Sequence, residues 1–376
     1  FIVQIPFNMN FIAAALTILA YSINATIIIF DRIRAIRKLY SKEKFDATVI
    51  KAEGVEERAE RQHEVFDNKV SGFRRLLRWV KSVADEPDAG LWLFCGENTG
   101  GYSKALCNHL YGSGYDMWLE NALSIKRSSA LQRVKSDKAD SGVIAEYAMR
   151  NYDQMRLYKP LGKNLERLRE VFLYRHNLVK MKASMTVRKG EKKLTQEKSD
   201  ISRFMAQSSK HLISEFNKKI AECDMRIDKI ISEDKELRRN FEIITSVPGV
   251  GTQNAVCLMV YTDNFSRFDY DSRKIACYYG VAPFGRQSGT SVNTPPHVSP
   301  FANKLIKALL TQAALASINF CPQMAVYYKR LVEAGKKKPV AVNNVKNKLL
   351  HVITAMVRNG AMYNPDHDYY AALKVA

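Results

Sequence analysis

Residues 1–30 carry no charge, and the apolar run from Phe11 to Phe30 is 20 residues, about one bilayer crossing. Asp31, Arg32, Arg34, Arg37 and Lys38 follow directly, the mainly basic flank expected on a cytoplasmic side. Asn8, Asn10, Ser22 and Asn24 interrupt the run, so a buried helix or strand pair of a soluble domain is the alternative. No basic region precedes the run, which excludes a standard signal peptide. The start at Phe1 rather than Met reads as a fragment or a processed end.

From residue 36 to 160 the pattern changes to short apolar runs alternating with helical periodicity. Phe45 to Ile50, His63 to Phe66, Leu91 to Cys95 and Asp116 to Leu119 read as strands. Val70 to Val80 reads as a helix with Phe73, Leu76, Leu77 and Val80 on one face. Tyr102 to Leu110 and Ala139 to Arg150 read as two more. Strands alternating with helices predict a mixed α/β sheet.

Residues 161–240 are highly charged, with no proline between Pro160 and Pro248. Ile213, Phe216, Ile220, Cys223, Ile227 and Ile230 step by three and four, and Leu237 adds one repeat. That heptad seam predicts a long helical hairpin or coiled coil, a spacer or a dimerisation element. Residues 241–360 are helical around a Gly/Pro-rich middle. The string I-T-S-V-P-G-V-G, Ile244 to Gly251, leads into an apolar helix Ala255 to Tyr261, as in the turn of a helix-hairpin-helix. Gly249 and Gly251 there would let backbone N–H groups approach a phosphate, although any tight turn into a helix looks similar. The stretch 285–300 is rich in Gly, Ser, Thr and Pro and predicts a mobile loop.

Charge sharpens this picture. The 58 basic residues against 38 acidic ones give +20 over 376 residues, which favours a polyanionic partner, nucleic acid or an anionic membrane. Lys304, Lys307, Lys346 and Lys348, with Lys329, Arg330 and the run Lys336 to Lys338, form a candidate phosphate-contacting face; a solvated helix surface is the alternative. The six cysteines form no C-x-x-C pair and no zinc spacing, so they read as reduced intracellular thiols.

The candidate chemistry is acidic. Glu97 sits in C-G-E-N-T-G-G-Y-S, just past a strand end. Asp137 and Asp140, in K-S-D-K-A-D-S, sit at a helix start with the spacing of one helical face. Such close like charges need a metal, a basic partner or good solvation. Ser288, near Arg286 in F-G-R-Q-S-G, is a candidate nucleophile or an ordinary loop serine.

These strings, with Y-S-K-E-K-F-D-A-T, L-E-N-A-L-S-I-K and the terminal M-V-R-N-G-A-M-Y-N, resemble the DEDD-type insertion-sequence transposases over about 40–365. That group includes Piv-like DNA invertases and bridge-RNA-guided recombinases. The resemblance implies an RNase H/RuvC-like α/β domain (36–160), a coiled coil (161–240) and a mainly α-helical transposase domain (241–362), before a tail (363–376). It implies that Glu97, Asp137 and Asp140 bind a divalent metal, Mg²⁺, and that Ser288 forms a covalent DNA intermediate. DNA, a structured guide RNA and further copies of the chain would be its partners, in a cytoplasmic, nucleoid-associated setting. The family's first carboxylate falls at Leu39 here. Residues 3–34 instead resemble the export subunits SecD/SecF, so residues 1–35 read as a foreign segment that displaced the first strand, with membrane contact through 1–30. That leaves either an active recombinase or an impaired remnant that still binds nucleic acid.

Overall fold

The computed structural model describes residues 44–50, 61–84, 92–128, 136–194, 200–288, 292–299 and 302–366. The apolar segment 1–34 and Leu39 lie outside the described residues. The chain divides into two compact units, 1–160 and 161–376. Among the described residues it is mostly helical, and its strands form three separate two-stranded ladders rather than one mixed sheet.

In the first unit β1 (Lys44–Ile50) pairs antiparallel with β2 (Arg61–Asp67), with Phe45 opposite Phe66 and Ile50 opposite Arg61. Helix α1 (Val70–Val83) follows. Its Phe73, Leu76 and Val80 are buried, which is the face its periodicity predicts. Gly72 is obligatory there, because a Cβ would run into the Asp67 carbonyl. The Phe66 ring packs with Leu76 and Val80, and Phe45, Trp79 and Phe94 close around them. Strands β3 (Leu93–Glu97) and β4 (Asp116–Glu120) are parallel and joined by α2 (Gly101–Gly112), a βαβ unit. Cys107 and Leu110 of α2 are buried with Met117 of β4. The short α3 (Ala122–Ser128) leads to α4 (Asp137–Arg150), which packs on both β1 and β3.

The second unit opens with two long helices, α5 (Lys163–Leu194) and α6 (Asp200–Glu233), which pair antiparallel. Asn164 bonds Asp234, Arg167 pairs with Glu233, and Arg175 grips Asp224 through Nε at 2.6 Å and Nη2 at 3.1 Å. Cys223, Ile227 and Ile230 of the predicted seam are buried, while Ile213, Phe216 and Ile220 are half-buried. The seam does not run on unbroken to Leu237. Asp234 leaves the helical conformation and accepts from the Glu236 and Leu237 N–H groups, capping a new helix, α7 (Lys235–Thr245). Leu165, Leu168, Phe172, Ile227 and Ile231 belong to the same core as α8 (Thr252–Thr262), so the base of the helix pair is rooted in this unit.

Helix α8 is buried along Ala255 to Val260. Around it lie α9 (Ser272–Tyr278), α10 (Lys304–Phe320), α11 (Pro322–Glu333) and α12 (Lys338–Asn359). The last contributes Val345, Leu349, Leu350 and Ile353 to the core. Between α9 and α10 the expectation of a loop over 285–300 is corrected. The backbone forms an antiparallel hairpin, β5 (Pro283–Ser288) with β6 (Val292–Val298), irregular between Phe284 and Arg286. Consecutive prolines in β6 argue against a strand in a sheet interior. In a two-stranded hairpin both strands are edges, so they are tolerated.

Candidate active site

The carboxylates of the first unit sit where strands end and a helix begins. Glu97 is the last residue of β3 and is exposed. The parallel register sets it beside Glu120, the last residue of β4. Cys95 and Trp118, two residues back on each strand, share that face. The Trp118 ring packs on Tyr147 of α4 at 5.4 Å, and the Tyr147 hydroxyl donates to the Glu120 carboxylate. Burial, then the Glu120 and Cys95 charges, raise the Tyr147 pKa above the phenol value. Burial and Glu120 also push the Cys95 thiol up to about 12, so it is no nucleophile. The face of the β3–β4 ladder that carries Glu97 and Glu120 is therefore the one α4 covers.

Asp137 and Asp140 occupy the first turn of that helix and are exposed. Ser136 caps it, its Oγ accepting from Ala139 N at 3.1 Å. Two aspartates at a helix N-terminus are stabilised by the unpaired N–H groups and the macrodipole, which offsets their mutual repulsion. Asp140 and Tyr147 are seven residues apart, two turns, and so lie on one side of α4. The neighbouring Ser141 Oγ lies 2.7 Å from Thr48 Oγ1 of β1, fixing the start of α4 against that strand. Asp46 of the same strand is paired with His63 at 2.7 Å. Among the described residues no three acidic, His or Cys side chains form a ready metal cage. The exposed hard oxygen donors of Glu97, Asp137 and Asp140 nonetheless suit a divalent cation. Glu120 and Tyr147 were missed in the sequence. Glu120 is brought beside Glu97 by the parallel strand register, and Tyr147 joins them through the packing of α4 on Trp118.

In the second unit Arg286 and Ser288 lie on β5, Ser288 opposite Val292 at the hairpin tip and Arg286 opposite Thr294. Gly251 is the N-cap of α8 and is open to solvent. Gly249 has φ of 92°, and a Cβ would meet the backbone of Ser317. Its smallness is thus used for close approach of the chain to α10, reinforced where Ser317 Oγ donates to the Pro248 carbonyl at 2.8 Å. Lys304 is exposed at the start of α10. Lys307 and Lys346 are half-buried, whereas Lys348 is only 5% exposed and lies inside. Burial, and then the Lys307 charge, hold the Lys346 ammonium below its usual pKa.

These features define a two-unit, mostly helical protein with a strand-end carboxylate site in one unit and a serine-bearing hairpin in the other. A DEDD-type IS110 transposase profile matches residues 40–197, and a transposase profile of the IS116/IS110/IS902 family matches 241–329. The chain belongs to this family of insertion-sequence transposases. A SecD/SecF C-terminal profile, for a protein export membrane protein, matches 1–56. The chain is 24% identical to the pilin gene-inverting protein of Moraxella bovis, over 81% of its own length and 91% of the relative's. It is 31% identical to the 43.6 kDa protein of insertion element IS110 from Streptomyces coelicolor, over 32% of this chain and 29% of that one. It is 28% identical to the 42 kDa protein of insertion element IS900 from Mycobacterium paratuberculosis, over 41% of this chain and 39% of that one. Membership of a transposase family implies DNA as a partner. Among the described residues no single helix is long and apolar enough to cross a membrane.

Proposed function

We propose that the chain is built as a DNA recombinase that cleaves and rejoins strands through a serine ester. Ser288 Oγ bonds to a backbone phosphorus as the bond to the leaving deoxyribose oxygen breaks, and that oxygen departs with a proton. The serine ester keeps the bond energy, so another strand's hydroxyl can reverse the step without a high-energy cofactor. Glu97, Asp137 and Asp140 are the residues that would hold Mg²⁺, which when bound neutralises charge developing on the phosphate. Arg286, two residues from Ser288 on β5, and the open N-terminus of α8 at Gly251 are assigned to phosphate contacts.

On this reading residues 36–160 are a RuvC-like domain short of its first acid. The α5/α6 pair works as a coiled coil, 241–362 is the transposase domain with a helix-hairpin-helix-like turn, and 1–35 is a fused export-subunit fragment that tethers an otherwise cytoplasmic protein. A structured RNA from the element's own end selects the sites, and the chain acts as a dimer or tetramer. The observation that carries the reading is the order of its parts: strand-end Glu97, the capped pair Asp137/Asp140, then a hairpin bearing Ser288 within the second transposase match.

The test is to incubate the chain with element-end DNA, its RNA and Mg²⁺. A covalent protein–DNA adduct is expected, and Ser288→Ala abolishes it. An adduct that survives Ser288→Ala rejects the serine. Leu39 favours a second reading, an impaired remnant that binds nucleic acid without completing transposition. In that case Leu39→Asp forms the adduct and the unaltered chain does not.

A further inference from the structure

Lys307 and Lys346 make an arrangement that packing alone does not explain. Lys307 is on the first turn of α10 and Lys346 comes from the middle of α12. Both reach the same side of α10. Lys346 Nζ lies 3.4 Å from Thr311 Oγ1, and Thr311 is one turn after Lys307, with its hydroxyl donating to the Lys307 carbonyl at 2.7 Å. Lys307 Nζ donates to the Ser299 carbonyl at 3.1 Å, immediately after β6 ends. The turn at Gly280 forms another wall: a Cβ there would sit 3.4 Å from Lys307 Nζ. Asn343 of α12 holds the next carbonyl of that turn, donating to Val281 O at 2.9 Å.

Each ammonium carries three donors, and among the described residues each has one protein acceptor. Among the described residues neither has a carboxylate partner. Two half-buried cations side by side disfavour each other, and desolvation adds to the cost. The positive end of the α10 macrodipole points into the same place. An arriving anion attracts both cations and the helix end, which offsets their repulsion and the desolvation cost.

We infer that Lys307, Lys346 and the first turn of α10 form a clamp for a single DNA backbone phosphate at the root of the hairpin that carries Ser288. This rests on the reading of the second unit as DNA-acting. It adds which group sets the register between DNA and nucleophile, since phosphate contacts position a protein on a duplex. The hairpin root is the pair Pro283 and Val298, and Ser288 is five residues further along β5. At about 3.4 Å per residue that is roughly 17 Å. The clamped phosphate therefore lies within about five base steps of the attacked bond, at about 3.4 Å rise per step.

The experiment measures binding of the full chain to a 30-bp duplex of arbitrary sequence across a salt series. Lys346→Met and Lys307→Met are each expected to reduce the slope of log K against log salt by about 1. The double variant loses no more than either single one, because one phosphate is shared. Lys346→Arg keeps the slope. Lys346→Met is also expected to melt no lower than the unaltered chain, because it removes a repelled, half-buried charge. An unchanged slope in Lys346→Met, or a double variant that loses twice as much, overturns the clamp. So does a slope that falls for a structured RNA and not for duplex DNA. A wild-type chain whose binding ignores salt overturns the DNA-acting reading itself, which separates the two failures.

Discussion

Asn240 is buried and donates Nδ2 to Asn264 Oδ1 at 3.0 Å, and Asn264 in turn donates to Glu236 at 2.8 Å. Asn264 is the middle of three consecutive left-handed residues, Asp263, Asn264 and Phe265, with φ of 51°, 51° and 72°. That conformation is tolerable for Asp and Asn and poor for Phe. Phe265 accepts it because its ring is fully buried and its N–H donates to Thr262 Oγ1 at 2.9 Å. The side-chain chain through Asn240 thus holds a strained turn at the end of α8. Asn240→Ala leaves the buried Asn264 Oδ1 without its donor and should destabilise the protein by about 1–3 kcal/mol. A denaturant midpoint equal to the wild type would show that the turn is held by other means. The acidic site shows a second residue-scale lesson. The sequence made Glu97 visible as a strand-end acid, but its neighbour Glu120 emerges only from the parallel register, a contact 23 positions away that no local pattern encodes.

Elements were legible in proportion to how strongly one face is buried. Helix α1 shows its apolar stripe directly, because Phe73, Leu76 and Val80 are all buried along one side, the last two against Phe66. The β5–β6 hairpin was hidden, since Gly, Ser, Thr and Pro dominate it and backbone pairing alone defines it. Helix pair α5/α6 was legible as a seam, yet the break at Asp234 was not, because a capping aspartate looks like any other surface acid. The far end of this pair is different in kind. Ile201 and Phe204 are each 71% exposed on α6, and Met205 and Leu212 lie on the same side. Apolar side chains gathered on a solvent-facing helix mark a contact surface. If the chain works as the proposed dimer or tetramer, Phe204→Asp is expected to lower self-association in sedimentation without shifting the melting of the core. An unaltered sedimentation profile would remove the distal half of the pair from the assembly interface.

At the scale of the whole molecule, one core runs from Leu165 and Phe172 through α8 to Met356 and Val357. Among the described residues it draws on α5 to α12 and on none before 161. Residues 161–376 produced alone should therefore unfold in one cooperative step. A fragment without a cooperative transition would show that the second unit depends on the first. Sequence resemblance set 161–240 and 241–362 apart, whereas the base of the long helix pair shares one core with the helices that follow it. Lys348, read from its charge as a phosphate contact, is only 5% exposed, and Gly249 is half-buried against α10. The capped start of α4 bears on the life history of the protein. Backbone amides there already compensate two adjacent negative charges, so the polypeptide can mature where free divalent ions are scarce. On the function proposed above, a cation would then arm a finished structure rather than act as the scaffold on which the structure is built.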